Sequence, residues 1–245
     1  MKLKTWRLIL YENIENAYLN LAIEEAIARA CGKKIVKNTL RFWRNKGAII
    51  IGYFQNAFEE INLEECEKYN LQIVRRFTGG GAVYHDLGNL NYSISISNKE
   101  EWIPKDVYNF FGLFIDIILN GLEKINIKAI RKGINNIFYK EKKISGLAAS
   151  NQWGTAFLHG CLLISANIDI MNKVLKKIKD ETINIDNILG YKIQLEKIIK
   201  VLKESFEEKL NIKIIEEDLT KYEYHLANKL YKEKYNRKEW NFKII

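Results

Sequence analysis

Residues 75–97 read RRFTGGGAVYHDLGNLNYSISIS, and three consecutive glycines (Gly79, Gly80, Gly81) divide an apolar run ending in two arginines from a segment of strand character. Glycine lacks a Cβ, so its backbone takes positive φ and lets another group approach closely. Consecutive N–H groups can then converge on an anion, and Arg75 or Arg76 can add a fork of donors suited to phosphate or carboxylate. A bare triple glycine is equally a flexible hairpin turn. The polar sequel Tyr84-His85-Asp86, then Gly88-Asn89-Leu90-Asn91-Tyr92-Ser93, exceeds what a turn requires. No Lys-Ser or Lys-Thr follows at the Walker spacing, so ordinary P-loop chemistry is not indicated.

Outward from this loop, the 245 residues are 47% hydrophobic, enough to bury one core. No run of eighteen apolar residues occurs, so no membrane span is expected. The start MKLKTWRLILYEN lacks a small-residue cleavage site and reads as a first strand, Thr5–Tyr11. Cys31, Cys66 and Cys161 are far apart without CxxC spacing, which points to a reducing cytoplasm and away from structural zinc. Three histidines make a His-rich metal site unexpected, and no metal-ligating residue is assigned. The net charge of +9 suits a nucleotide or an acidic protein partner. Its lysines lie along helices without interleaved aromatics, so nucleic acid is not expected.

Apolar spacing predicts an amphipathic helix over Leu19–Ala30, ended by Gly32, with Glu24, Glu25 and Arg29 on its solvent side. Glu59 and Glu60 are likewise read as solvated charges. Leu40–Arg44 and Ala48–Tyr53 read as strands joined by Asn45-Lys46-Gly47, a hairpin signal. Asn62 caps a helix Leu63–Tyr69, and Pro104 opens a long helix whose stripe runs through Phe110, Phe111, Phe114, Ile118 and Leu122. Strands return from Ile127 to Ser165. Helices follow near Asp169–Lys177, around Leu195–Phe206 and at Leu219–Lys232, with Trp240 and Phe242 holding the C-terminus to the body.

RRFTGGGAVYHDLGNLNYS resembles the signature of the lipoate–protein ligase A catalytic domain, in the superfamily of biotin ligases and octanoyltransferases. Three later segments are similar to that family as well: Asn135-Asn136-Ile137, with Asn136 where the family has Asp; Lys143-Ile144-Ser145-Gly146; and His159-Gly160-Cys161. Without the resemblance, Lys142 and Lys143 would be surface lysines, His159 a core histidine and Cys161 a small buried residue.

The resemblance implies an α+β fold of mixed and antiparallel sheets flanked by helices, as a single catalytic domain over residues 1–245. It implies activation of lipoic acid by ATP, with Mg2+ in the substrate complex, to lipoyl-AMP, and lipoyl transfer to a lysine. By motif position Arg76, Gly81, Ala82, Val83, Tyr84, Asn135 and Lys143 contact ATP. Gly79, Gly80, His85, Ser145, Gly146 and His159, again with Lys143, line the lipoate site, to which the strand over Ile49–Ile51 and Gly52 also belongs. Lys143 is the catalytic residue. The implied partners are lipoyl domains of 2-oxoacid dehydrogenase E2 subunits and the glycine-cleavage H protein. A separate small accessory-domain protein is expected too, since no accessory domain is read in this chain. Two alternatives stay open: an octanoyltransferase working through a cysteine thioester, and a non-catalytic lipoate-binding module. The transferases place their cysteine just before the Lys-x-x-Gly element or well after the His-Gly strand. Ala129–Lys142 and Ser165–Lys197 contain none.

Overall fold

The computed structural model describes residues 3–244 and distributes the strands over two sheets. In chain order the first half comprises β1 (Lys4–Ile9), α1 (Ala17–Gly32), β2 (Thr39–Trp43), β3 (Gly47–Ile51), α2 (Ala57–Glu60), α3 (Leu63–Lys68), β4 (Gln72–Arg75), β5 (Val83–Asp86) and β6 (Asn89–Ser97). The second half comprises α4 (Val107–Glu123), β7 (Ile130–Lys132), β8 (Asn136–Tyr139), β9 (Lys142–Gln152), β10 (Thr155–Leu163), α5 (Ile168–Val174), α6 (Ile185–Leu189), α7 (Leu195–Leu210), β11 (Ile212–Glu216), α8 (Lys221–Leu230) and α9 (Lys238–Asn241). The large sheet runs β11-β1-β2-β6-β10-β9-β8-β7 and the small one β4-β3-β5. β1 is parallel to β11 and β2, β3 is parallel to β4, and the remaining pairs are antiparallel. The architecture is therefore the expected mixed α+β class.

Both faces of the small sheet are covered, which explains its unbroken apolar strand. Ala48 and Ile50 pack with α1, while Ile49 and Ile51 pack with Ala57, Cys66, Met171 and Val174. The aromatic stripe of α4 joins α7 over the large sheet, as its spacing predicts. Pro104 lies outside that helix, which Asp106 caps through its side chain on the Asn109 N–H. Asn62 caps α3 as expected. No described helix is long and apolar enough to cross a membrane.

Two expectations from local pattern are corrected here. β2 and β3 do not form a hairpin, because they belong to different sheets. The link between them is anchored by tertiary contacts: Asn45 is buried, accepts from Asn20 Nδ2 at 2.8 Å and meets His85 Nδ1 at 3.1 Å. Likewise α1 is not a surface helix with solvated acids. Its Glu24 and Glu25 are buried, and Glu25 is held by Arg29, Lys234 and the Tyr235 hydroxyl. Gly32 is its last residue rather than a left-handed cap; the positive φ falls at Lys34.

Candidate active site

β4 and β5 flank β3, so residues 76–82 cross over the end of that strand instead of closing a hairpin. Gly80 takes φ +89° here. Its carbonyl lies against Gly52, where any Cβ would overlap the carbonyl oxygen. Gly52 thus supports the loop from beneath, and it is Ile50 that faces the cavity.

The two arginines before the loop have separate tasks. Arg75 is fully buried and donates to the carbonyls of Gly52, Tyr53, Gln55, Trp240, Asn241 and Lys243, tying the C-terminal segment to the body. Trp240 Nε1 returns a bond to the Arg75 carbonyl, in keeping with the anchoring expected of it. Arg76 points the other way. Its guanidinium binds the carbonyls of Ile50, Gly79 and Gly81 and the Thr78 hydroxyl, so it fixes the loop from inside. Burial pulls its pKa down to about 10, opposed by Glu24.

The loop closes one side of a cavity of about 670 Å³ whose walls come from both sheets, α1 and residues 177–182. Of the residues nominated from sequence, Arg76, Gly80, Gly81, Ala82, Val83, Tyr84, His85, Asn135, Lys143, Ser145, Gly146 and His159 all line it. Gly79 instead faces a second groove, with Phe54, Phe77 and Trp153, behind the loop.

Lys143 opens β9. Its Nζ lies 3.2 Å from the point a Cβ at Gly146 would occupy, so the amine hangs over that glycine, near Asn136. Burial lowers its pKa below the lysine range, while Asp180, whose Oδ2 is 3.8 Å away, opposes the shift. Asn135 is clamped to β9 by two bonds with Leu147, its carbonyl accepting and its Nδ2 donating. Ser145 Oγ lies 3.1 Å from the Tyr92 hydroxyl. His85 is buried beside Arg76 and His159, and burial above all pushes its pKa down to about 3. It is therefore neutral, and Asn45 Nδ2 donates to its Nδ1.

His159 is held at both nitrogens. Nδ1 lies 3.1 Å from Glu24 Oε1 and Nε2 lies 2.7 Å from Thr78 Oγ1. Arg76 Nε donates to that same Thr78 hydroxyl, so arginine, threonine, histidine and glutamate form one buried chain. A buried helix acid thereby reaches the glycine loop through one imidazole, which makes the loop part of the core rather than a mobile turn.

Sequence reasoning missed Glu24, Thr78, Trp43, Asn91 and Asp180, all of which contact this site or its loop. For Asn91 a signal existed, a carboxamide inside a strand otherwise suited to burial. Asp180 had none, since its approach to Lys143 is set by a chain crossing.

Comparison with known proteins agrees with this geometry. The lipoyl protein ligase A/B catalytic domain model matches residues 16–207. A chain in the structure of a bipartite lipoate protein ligase and its E2 lipoyl domain from Thermoplasma acidophilum superposes with TM-score 0.89 at 31% identity, covering 99% of this chain and 98% of that one. A lipoate–protein ligase A bound with ATP superposes with TM-score 0.90 at 32% identity, covering 98% and 100%. The octanoyltransferase LipM of Clostridioides difficile is 32% identical, over 97% of this chain and 98% of its own length. With the family model spanning most of the sequence and the loop, lysine and histidine elements converging on one cavity, the chain belongs to the lipoyl protein ligase A/B catalytic domain family.

Proposed function

We propose that this protein is a lipoate–protein ligase that proceeds through an acyl-adenylate. The observation that carries the reading is the Lys143 amine, set over Gly146 in the cavity that the glycine loop closes. A carboxylate bound there attacks the α-phosphorus of ATP; the new P–O bond forms as the bond to the pyrophosphate oxygen breaks. Negative charge grows on the phosphoryl oxygens, and a fixed ammonium with oriented N–H groups stabilises it without reorganising. In the second step the neutral ε-amine of an acceptor lysine attacks the acyl carbonyl, the new N–C bond forms as AMP leaves with the electrons of the cleaved C–O bond, and the amine's proton is released to solvent. Mg2+ enters this scheme as part of the nucleotide substrate. Enclosure of the adenylate matters because water competes for the same carbonyl.

The ATP-bound and bipartite relatives support this assignment over a non-catalytic module. Against a thioester transferase stand the thiols themselves. Cys161 lines the cavity, yet burial pushes its thiol up to about 12, and Asn89 Nδ2 donates to its sulfur at 3.1 Å. Cys31 and Cys66 are buried outside the cavity, with thiols raised to about 12 and about 11. A nucleophilic cysteine needs the opposite shift. The T. acidophilum relative is bipartite, so a separate accessory protein and an E2 lipoyl domain are the proposed partners, with the H protein as a further acceptor. Lipoate-dependent ATP–pyrophosphate exchange, measured with and without such an accessory protein, tests the reading. Acyl transfer from an acyl-carrier thioester without ATP would replace it with the transferase.

A further inference from the structure

The glycine loop leaves the small sheet from an edge strand. β4 is the outer strand there, and Arg75 is its last residue before Arg76 and the loop. Arg75 stands beside Ile51 of β3, yet its own N–H and carbonyl are bonded by side chains rather than by a strand. The N–H donates to Asn241 Oδ1 at 2.9 Å, and the carbonyl accepts from Trp240 Nε1 at 2.9 Å. Two neighbouring side chains of the C-terminal segment thus do for Arg75 what a further strand would do, at an edge that otherwise stays unpaired.

Both side chains are themselves held. Asn241 is buried, and its Nδ2 donates to the Tyr235 carbonyl at 2.8 Å, which fixes the carboxamide with Oδ1 toward Arg75. The ammonium groups of Lys234 and Lys243 lie 4.1 and 4.0 Å from the Trp240 ring centroid, so cation–π contacts hold the ring independently of its N–H. Neither residue lines the cavity closed by the loop, and both lie beyond residue 207, where the family match ends.

The effect of these bonds reaches the loop through the chain itself. Arg76 follows Arg75 directly, its N–H donates to the Ile51 carbonyl, and its guanidinium grips the carbonyls of Gly79 and Gly81. The Arg75 guanidinium meanwhile holds the carbonyl of Gly52, the residue against which the Gly80 carbonyl lies. A rotation of the Arg75 backbone therefore moves the loop's support and its clamp together. Resting on the ligase reading above, we propose that Asn241 and Trp240 are positioning residues. From outside the cavity they set the plane of the Arg75 backbone, and with it the aim of the glycine-loop N–H groups at the acyl-adenylate. Preorganised donors stabilise charge only while they are held in place, and small misplacements from remote sites are costly.

The test is equilibrium titration of the full chain with a non-hydrolysable lipoyl-adenylate analogue, for the wild type, Asn241→Ala, Asn241→Asp, Trp240→Phe and Ser205→Ala, with melting curves for each. Asn241→Ala leaves the Arg75 N–H buried and unpaired and should weaken binding about tenfold, the scale of one such group. Asn241→Asp keeps the acceptor and the shape, so it should restore affinity to within about threefold of the wild type. Trp240→Phe keeps the ring and removes only the N–H. A loss of about threefold is expected, and this variant carries the test should Asn241→Ala not fold. Ser205→Ala breaks a buried bond to the Ile117 carbonyl, between α7 and α4 and away from the loop, so it gauges what lost stability alone does and should keep wild-type affinity. Wild-type affinity in both Asn241→Ala and Trp240→Phe, a loss in Asn241→Asp as large as in Asn241→Ala, or an equal loss in Ser205→Ala overturns this inference and leaves the ligase reading standing. A wild type that does not bind the analogue overturns both.

Discussion

Lys143 Nζ lies 3.8 Å from Asp180 Oδ2, and the backbones of the two segments are joined: Lys143 N–H donates to the Glu181 carbonyl and Ile183 N–H to that of Lys143. In the proposed ligase reaction this carboxylate competes with the substrate anion for the amine. Asp180→Asn removes this competitor. Both side chains are partly exposed, so the pair is worth about 0.2–1 kcal/mol. The KM for ATP should fall by up to about fivefold on that scale, with kcat little changed. Lys143→Ala should lower lipoate-dependent pyrophosphate exchange by about a hundredfold or more. Exchange retained in the lysine variant removes Lys143 from the chemistry.

Cys161→Ser separates the ligase from the transferase. Asn89 Nδ2 donates to the sulfur, and a serine hydroxyl accepts that bond equally well. Ligation should persist within a few-fold, measured as lipoyl transfer to an acceptor domain. Abolished transfer in a folded variant would make the thiol the nucleophile.

The buried His85 predicts an acid-side loss of stability. Its folded pKa of about 3 lies below the ordinary histidine value, so folding excludes a proton that the unfolded chain binds. The contribution is complete above about pH 6.5 and is lost as pH falls from there toward 3, because unfolding takes up one proton in that window. Denaturant titrations at several pH values check this. His85→Gln should show a shallower decline by one proton between pH 6 and 4, whatever its absolute stability.

The parts of this fold that were legible in sequence are those set by local chemistry. Period fixed α4 and α7, Asn62 announced α3, and the glycine loop, Lys143 and His159 were located by motif. Where long-range partners decide, local pattern misled. Glu24 and Glu25 look solvated until His159, Lys234 and Tyr235 arrive from distant segments. Asn45-Lys46-Gly47 looks like a hairpin turn until Asn20 and His85 take up the Asn45 carboxamide and divert the chain to a second sheet. The neighbouring arginines, equivalent on paper, are told apart only by which carbonyls surround them.

Gly52 supplies a sharper test of the loop than any residue inside the cavity. Its N–H donates to Gln55 Oε1, its carbonyl accepts from Arg75, and the Gly80 carbonyl fills the place a Cβ would take. A methyl group there overlaps backbone, not a side-chain tip that could rotate away. Gly52→Ala must therefore shift residues 79–81, at about 1–3 kcal/mol of stability as for other overpacked sites. Because Arg76 grips the carbonyls of Gly79 and Gly81, the shift is transmitted to the cavity wall, and lipoate binding should weaken along with stability. Gly190→Ala is the matched control: Gly190 ends α6 with φ +77° and open space around the Cβ position, so the variant bears backbone strain of about 1 kcal/mol without touching the loop. Melting curves paired with lipoate titrations of the two variants separate the effects. Equal lipoate affinity in both would show that loop position does not govern the site.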